Sequence, residues 1–296
     1  MPDISIGLPV YNGQKLIRNA IESTLAQTHG DFELIISDNA STDGTATICR
    51  EYASLDGRIK YFRSQVNLGA AANFRKVFHL ASGRYFKWIG VDDYCAPAYL
   101  EQTKRVLDSR DDVVLCCSKV NIIDGEGVIL RQYPDAQALL QSAPSERFKQ
   151  FQEQDSWVNA VYGLMRSEAL RKTSVMGTFP GSDIVLIAEL SLHGKFVELP
   201  DYLFFRRIHP EAFSYEPSLE KQQEFYNPGK PKRLLPMYTW RHLYEHVRSI
   251  RRAPIDASEK WRVIRHLLNM ARWQRHVLFR ELRLVFKSAA TQESHP

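Results

Sequence analysis

Two adjacent carboxylates, Asp92 and Asp93, end a short apolar run that starts at Tyr85. The run is rich in aromatic and branched residues, which favours a buried strand over a helix. Two acids at the tip of such a strand repel each other unless a cation lies beside them. Carboxylate oxygens suit Mg²⁺ or Mn²⁺, especially where substrate phosphates supply further ligands. The alternative is that the pair opens a turn and caps a helix near Pro97, since Asp is a common helix cap.

The elements that must position this pair form a regular alternation of strand-like runs and amphipathic helical stripes. This order predicts an α/β fold whose sheet is parallel, with right-handed crossovers. The first strand is predicted to break at Pro9, because proline cannot donate to a central sheet ladder. The predicted strands are residues 4–9, 32–36 and 59–62 and the run from Tyr85, and the predicted helices are residues 14–27, 45–55 and 72–81.

Polar clusters follow three of these strands. They are Tyr11-Asn12, Asp38-Asn39 and Asp92-Asp93. In open parallel sheets, ligands bind beyond the carboxyl ends of the strands. We therefore expect the three clusters to converge on one site.

The later part of the chain is patterned less regularly. Asp124-Gly125-Glu126-Gly127 predicts a hairpin turn, and residues 131–154 are interpreted as an active-site flap or a variable insertion. Pro and Gly at residues 227–231 indicate a linker, which divides the chain into a domain 1–226 and a C-terminal extension 227–296. Further predicted elements are helices at 96–107, from Ser182, at 238–251 and at 257–286, and strands at 113–117, 159–165, 196–199 and 202–205.

Composition describes an ordinary globular protein, with 44% hydrophobic and 25% charged residues. The cysteines show no CxxC pair and no matching His spacing, which argues against a zinc site or a disulfide framework and fits a reducing compartment. The sequence shows no secretory leader and no apolar run long enough to span a bilayer. We expect a cytoplasmic protein, with peripheral contact to the inner face of the membrane left open.

The positive charge of the chain is concentrated near its end. Residues 236–296 carry twelve Lys or Arg against five Asp or Glu, a net of +7, which leaves about −2 for the rest. Apolar residues at helical spacing make this segment amphipathic, as in helices that lie on anionic lipid. The alternative is a helix docked on the catalytic domain or on a dimer partner, with a solvated basic face. Nucleic-acid binding is disfavoured because no recognised motif accompanies the charge.

Several motifs occur in the order typical of a family, and residues 3–215 resemble a family 2 glycosyltransferase of the GT-A fold. The resemblance implies a mainly parallel central sheet flanked by helices, with a Rossmann-like nucleotide-binding half and a C-terminal helical extension. It rests on Leu8-Pro9-Val10-Tyr11-Asn12, on residues 33–45, on Asn67-Leu68-Gly69 with Asn73, on the DXD-type Gly90-Val91-Asp92-Asp93, and on Tyr162-Gly163-Leu164, Ser182-Asp183 and Arg207-Ile208-His209.

The resemblance implies that the first half binds a nucleotide-sugar donor. Tyr11 offers a ring that can stack on the base, with a core tyrosine as the alternative. Asp38 or Asn39 can hydrogen-bond a base edge; many relatives carry Asp where this chain has Asn39, which weakens the case for a uridine nucleotide. The implied nucleotide-binding residues are Pro9, Tyr11, Asn12, Asp38, Asn39, Asn67, Asn73, Asp92 and Asp93.

The resemblance also implies a divalent cation, Mn²⁺ or Mg²⁺, and a catalytic base. Asp92 would contact the ribose and Asp93 the metal, and His209 would meet the metal or the diphosphate from a late loop, unless it is a surface histidine. Asp183 matches the position of the base that takes a proton from the acceptor hydroxyl. Its alternative role is that of a helix-start acid stabilised by the helix dipole, with Glu189 as the reserve base.

These motifs predict a metal-dependent, inverting transferase that moves a sugar to a glycan or lipid-linked acceptor, in cell-surface polysaccharide synthesis. A nucleotidyltransferase would instead place a Gly-rich, basic phosphate loop after the first strand, where this chain has Pro9-Val10-Tyr11-Asn12. The other rival is a catalytically silent member that binds a membrane or a partner. The presence of Asp92, Asp93 and Asp183 counts against that rival.

Overall fold

The computed structural model describes residues 1–133, 137–154, 158–208, 225–226, 228 and 237–293, with backbone alone for 286–293. Its strands are β1 Ile4–Val10, β2 Phe32–Asp38, β3 Ile59–Arg63, β4 Tyr85–Trp88, β5 Tyr94–Cys95, β6 Val113–Ile123, β7 Ile129–Tyr133, β8 Leu164–Arg166 and β9 Lys195–Arg207. Its helices are α1 Ile17–Leu25, α2 Thr45–Leu55, α3 Ala70–His79, α4 Tyr99–Ser109, α5 Pro144–Glu153, α6 Ser167–Arg171, α7 Ser182–Ser191, α8 Tyr238–Arg252, α9 Ala257–Trp273 and α10 Arg275–Glu293, with a 3₁₀ turn at Asn159–Tyr162.

All nine strands join one sheet in the order β3-β2-β1-β4-β8-β6-β9-β5, with β7 paired to β6. The first four strands are parallel, as predicted from the strand–helix alternation. The second half is mixed, because β8 runs antiparallel between β4 and β6, whereas β9 runs parallel to β6. The α/β prediction is confirmed, and the parallel arrangement is confined largely to the first half.

Strand β1 continues through Pro9, where the sequence predicted a break. Pro9 pairs with Ser37 of β2, but the pairing of β1 with β4 ends at Gly7. Carbonyl directions alternate along the strand: the Gly7 oxygen accepts from Ile89 on the β4 side, and the Val10 oxygen accepts from Asn39 on the β2 side. The Pro9 nitrogen therefore faces the β4 side, beyond the last β4 pair, where the sheet requires no donor.

Helices cover both faces of the sheet. Alternate side chains of β2 point to opposite sides, with Leu34 and Ile36 in one apolar core and Ile35 in the other. Helices α1, α2 and α4 enclose the first core, and α3, α5, α7, α8 and α9 enclose the second. All four cysteines are buried thiols that form no disulfide within the described residues.

Other elements differ from the predictions in extent. The two final strands form one strand, β9, which passes through Pro200 with register shifts in its pairing to β6. Residues 131–154 contain the end of β7 and helix α5, so the weak periodicity concealed regular structure. The predicted helix 257–286 is divided at Gln274 into α9 and α10.

The C-terminal helices pack on the body of the protein through one face. Ile250 of α8, Ala253 directly after it, and Val263 and Leu267 of α9 belong to the second core. This contact corresponds to the docked alternative for the extension, although the domain boundary at 226/227 stays a prediction because Asn227 lies outside the described residues. Among the described helices, none has both the length and the apolar character needed to cross a membrane.

A buried carboxylate joins the first strands at the end opposite to the polar clusters. Glu33 accepts hydrogen bonds from the hydroxyls of Ser5 and Ser82 and from the Ser82 backbone N–H, and its other oxygen pairs with Lys60. Burial alone would raise the pKa of Glu33, but these partners outweigh it and lower the pKa to about 2. Glu33 thus links β1, β2, β3 and the turn before β4.

We expect Glu33→Gln to lower the free energy of unfolding by about 2 to 4 kcal/mol at pH 7, because it removes a buried carboxylate charge that Ser5, Ser82 and Lys60 stabilise. Since the folded-state pKa is depressed, the contribution is present above about pH 4.5 and is lost as the pH falls toward 2. Urea unfolding at pH 7 and pH 3 measures both effects. A pH-independent difference between the two proteins would contradict this role for Glu33.

Candidate active site

The carboxyl ends of β1, β2 and β4 meet at one edge of the sheet, because β1 lies between the other two strands. Asn12, at φ +53°, accepts a hydrogen bond from the Thr42 backbone N–H at 2.8 Å and so ties the loop after β1 to the loop after β2. On the other side, a Cβ on Gly13 would lie 2.6 Å from a methyl carbon of Val91, next to the acid pair. The predicted convergence of the three polar clusters is confirmed.

The side chains after β2 are engaged with their own loops. Asp38 is fully buried and accepts hydrogen bonds from the Ser41 backbone N–H, the Tyr61 hydroxyl and Arg63. Asn39 donates to Asn67 and accepts from the Leu68 backbone N–H. In this structure both residues shape the loops, and a direct contact of either with a base stays a prediction.

Asn73 and Tyr11 occupy contrasting environments at the same edge. Asn73 is buried on α3 and donates to the carbonyls of Ser37 and Val10, so it holds the ends of β1 and β2 together. The Tyr11 side chain is 46% exposed, which excludes the alternative of a core tyrosine. Its ring is accessible for stacking, whereas Pro9 is buried within β1.

Arg207 holds the acid pair at the end of β4. Its backbone N–H donates to Asp93 Oδ1 at 3.0 Å, and its guanidinium donates to the Asp92 carbonyl and, at the β6–β7 turn, to the carbonyls of Asp124 and Gly125. Gly90 leaves room for the other oxygen, because a Cβ there would lie 2.8 Å from Asp93 Oδ2. Arg207 at the end of β9 and the space left by Gly90 therefore position the acid pair.

The electrostatics of the pair suit a cation. Burial raises the pKa of Asp93, and the negative charge of Asp92 raises it further, while Arg206 and Arg207 act in the opposite direction. A carboxyl group whose ionisation is disfavoured by burial and by an adjacent carboxylate is an oxygen donor that a divalent ion would stabilise. The described residues contain no cluster of three or more His, Cys, Asp or Glu, so a cation at Asp93 would take further ligands from a bound molecule. His209, the other predicted ligand, lies outside the described residues.

Asp183 lies in the first turn of α7, as predicted, behind Gly181 at φ +75°. Burial raises the pKa of Asp183, while the backbone N–H groups of the helix start and then Arg206 and His242 lower it. A half-buried carboxyl group whose pKa is shifted upward suits proton abstraction better than an ordinary surface acid.

Arg206 connects the two acidic groups. Its charge acts on the pKa of Asp93 and on that of Asp183, and its guanidinium donates to the Asn159 side chain at 2.7 Å. Tyr162 lies in the same place: burial raises the pKa of its hydroxyl, and the charges of Asp93 and Asp183 both add to the rise. Arg206 and Tyr162 are therefore each within electrostatic range of both Asp93 and Asp183.

Helix α8 supports the start of α7. The ring of His242 lies 2.7 Å from the Pro180 carbonyl and packs against Phe179. Ten residues further along α8, Arg252 binds both carboxylate oxygens of Glu189, which is fully buried. Glu189 is thus a structural ion-pair partner, and its assignment as a reserve base is wrong.

Tyr226 lies near both Gly69, before α3, and Gly181, before α7. Burial raises the pKa of its hydroxyl, and the charge of Asp183 raises it further. Its backbone carbonyl is so close to Gly69 that a Cβ there would lie 2.6 Å from the oxygen. Tyr226 therefore lies between the loop that precedes α3 and the start of α7.

The sequence motifs include Tyr162 and Arg207 without a role for either residue. No motif contains Arg206, His242 or Tyr226. A cationic doublet, Arg206-Arg207, directly before a candidate metal ligand was the available signal. His242 and Tyr226 carry no local signal, because their positions depend on tertiary packing.

A family model described as "Glycosyl transferase family 2" matches residues 5–176, more than half of the chain. An "uncharacterized glycosyltransferase", MJ1057 of Methanocaldococcus jannaschii, is 32% identical over 45% of this chain and 46% of its own. The putative teichuronic acid biosynthesis glycosyltransferase TuaG of Bacillus subtilis is 38% identical over 37% of this chain and 43% of its own. The chain thus spans less than half of the length of these curated relatives.

Solved structures share the fold at low sequence identity. S. aureus TarS 1–349 in complex with UDP-GlcNAc has a TM-score of 0.67 at 18% identity, covering 91% of this chain and 72% of that one. Mannosyltransferase PcManGT from Pyrobaculum calidifontis, in complex with GDP-Man and Mn²⁺, has a TM-score of 0.52 at 14% identity, covering 100% of this chain and 81% of that one. The fold is the GT-A type that the motifs implied. With the family match, these findings show that the chain belongs to glycosyl transferase family 2.

Proposed function

We propose that this protein is an inverting glycosyltransferase that moves a sugar from a nucleotide-sugar donor to a hydroxyl group of a glycan or lipid-linked acceptor in polysaccharide synthesis. The observation that carries the proposal is the acid pair at the end of β4, held by Arg207 at the edge of the sheet where the ends of β1 and β2 also lie. The complexes of TarS with UDP-GlcNAc and of PcManGT with GDP-Man support a nucleotide-sugar donor, and the name of TuaG supports a role in polysaccharide synthesis.

The donor would lie along the ends of β1, β2 and β4. The accessible ring of Tyr11 offers a stacking surface for the base, and Asp92 offers a carboxylate for the ribose. The diphosphate then falls beside Asp93 and Arg206, where the guanidinium can pair with phosphate oxygens. Asn12, Asn67 and Asn73 hold the loops of this half in shape.

A divalent cation would be held by Asp93, together with the donor's diphosphate and, by the sequence prediction, His209. When bound, it would supply positive charge against the negative charge that develops on the leaving diphosphate. The raised pKa of Asp93 fits this role, because the carboxylate lacks enough positive charge from the protein alone. Arg206 would add to the same electrostatic stabilisation.

Asp183 would act as the base. As the acceptor oxygen forms its bond to the anomeric carbon, the bond from that carbon to the phosphate oxygen breaks, and its electron pair leaves with the nucleoside diphosphate. The acceptor proton passes to the Asp183 carboxylate. A single displacement of this kind inverts the anomeric configuration.

We expect the wild-type protein to show a higher Tm with one class of nucleotide sugar and Mn²⁺ than with either alone, because ligand binding stabilises the folded state by mass action. Asp93→Ala should abolish the Mn²⁺-dependent part of this shift. The control is Asp111→Ala, whose side chain is 99% exposed. Equal nucleotide affinity of Asp93→Ala with and without Mn²⁺, matching that of the wild type, would contradict the metal assignment. No shift with any nucleotide sugar would contradict the donor assignment.

Asp183→Asn should leave donor binding unchanged and lower kcat by roughly 10²- to 10⁴-fold, since the amide cannot accept the proton. In the wild type, kcat should fall as the pH is lowered through the pKa of Asp183, which is raised above the usual aspartate value of about 3.9. Steady-state kinetics across pH 4 to 8 test both points. Full turnover of Asp183→Asn would place the base elsewhere.

Gly90→Ala should reduce kcat/KM by roughly 100-fold, because the added methyl group displaces Asp93 Oδ2 from its place at the end of β4. The matched control is Gly57→Ala, where an added Cβ meets no described atom within 4 Å. Both variants should unfold near the wild-type Tm. If the two substitutions had equal effects on kcat/KM, the orientation of Asp93 would not matter for the reaction.

A further inference from the structure

Helices α8 and α9 are attached to the protein through one face that is fully engaged. Arg252 of α8 pairs with the buried Glu189, and Glu259 of α9 accepts from the Ser145 backbone N–H of α5 at 2.7 Å. Val263 and Leu267 are buried in the core. The opposite side of each helix is therefore presented outward in a fixed orientation.

That opposite side carries the same arrangement on both helices. Residues at i, i+4, i+7 and i+11 lie along one side of an α-helix. In α9 the Trp261 and Leu268 side chains are 65% and 60% exposed, which is far above the exposure of a packed apolar residue. We call the following residues the outer face: Trp240, whose indole N–H donates to the Leu278 carbonyl of α10, with Tyr244, Val247 and Arg251 of α8, and Trp261, Arg265, Leu268 and Arg272 of α9.

Three of the acidic side chains in this region are buried, whereas its arginines are exposed. Glu245, Glu259 and Glu281 are buried, and Glu281 caps the start of α8 by accepting from the Thr239 backbone N–H. The arginines are exposed, and within the described part of the chain Arg265 and Arg272 form no ion pair. The outer face is thus strongly basic, although the region as a whole contains acids.

We propose that the outer face docks on an anionic lipid bilayer. Tryptophan and tyrosine have an apolar body and a polar tip, which suits the boundary between headgroups and acyl chains. Arginines between them are attracted to anionic headgroups. A second copy of the chain is a poorer occupant, because two-fold pairing would oppose one basic face to another.

Docking would place the reaction close to the membrane. Helix α8 carries part of the outer face on one side and His242 on the other, where it contacts the loop before α7. The distance from the face to that loop is therefore about one helix diameter, roughly 10 Å. The inference goes beyond the proposed function, because lipid docking can be measured without any sugar donor.

The test is co-sedimentation of the full chain with vesicles of phosphatidylcholine alone or with 30% phosphatidylglycerol. The wild type should bind the anionic vesicles only and be released by high salt. Arg265→Glu/Arg272→Glu should weaken this binding by roughly tenfold or more, because two attractive charges become repulsive. Trp261→Ala/Leu268→Ala should also weaken it, since apolar insertion is lost.

The matched control is Arg84→Glu/Arg105→Glu, which changes the net charge equally. Both of its arginines are exposed at the surface, and Arg105 lies on α4, which covers the opposite face of the sheet. Its vesicle binding should exceed that of Arg265→Glu/Arg272→Glu by several-fold, and circular dichroism should show the same Tm for both.

Three results would overturn the proposal. One is a wild-type protein that stays in the supernatant with anionic vesicles. Another is equal vesicle binding by the control and the outer-face charge variant. The third is a dimer or an RNA complex that Arg265→Glu/Arg272→Glu disrupts in the absence of any vesicle binding, which would assign the face to that partner instead.

Discussion

The geometry of the site depends on how two adjacent like charges are held at the end of one strand. Asp92 and Asp93 would repel each other and disorder a short loop if nothing opposed them. Arg207 fixes Asp93 with its backbone and the Asp92 carbonyl with its side chain, and Gly90 leaves the space for the second carboxylate oxygen. The position of the acid pair therefore depends on the register of β9, the last long strand.

The topology of the second half of the sheet meets this requirement. Strand β8 runs antiparallel to both β4 and β6, and β9 is parallel to β6, so the carboxyl end of β9 lies at the same edge as the acid loop. The pairing of β6 with β9 brings Arg206 and Arg207 to that loop, and the antiparallel pairing of β5 with β9 closes it. The stacked rings of Tyr94 and Phe205, 4.5 Å apart, pack this junction. The same strand thus supplies Arg207, which contacts the acid pair, and Arg206, whose charge acts on both Asp93 and Asp183.

The sequence predicts best where one local rule decides the structure. The strand–helix alternation, the acid pair at a strand end and the helix start at Ser182 follow from periodicity and composition, and the structure has them in those places. Pro9 misleads because the rule about proline concerns a full ladder, whereas β4 ends before it. The break at Gln274 interrupts an apolar stripe that continues on both sides, so periodicity alone could not reveal it.

Roles that depend on distant contacts could not be predicted from the sequence. The bonds of Asn39 to Asn67 and Leu68 have no local signal in the sequence, and Glu189 looks like a spare acid until Arg252 is placed 63 residues later. Arg206 gains its position between two acidic groups from the register of β9, which no local pattern specifies. The order of the motifs was enough to identify the family. The contacts of each side chain could be assigned only from the folded structure.

The cap that Glu281 provides for α8 has a consequence for how this protein can be recombined. That carboxylate on the last helix secures the start of α8, and α8 holds both ends of α7 through His242 and Arg252. The two relatives compared above share less than half of this chain, so their own terminal segments need not contain these contacts. A chimera that joins this body to a foreign tail would inherit an unsupported α7 with an unpaired Glu189 in its core. The C-terminal helices can therefore be exchanged only together with α7, the helix that they hold in place.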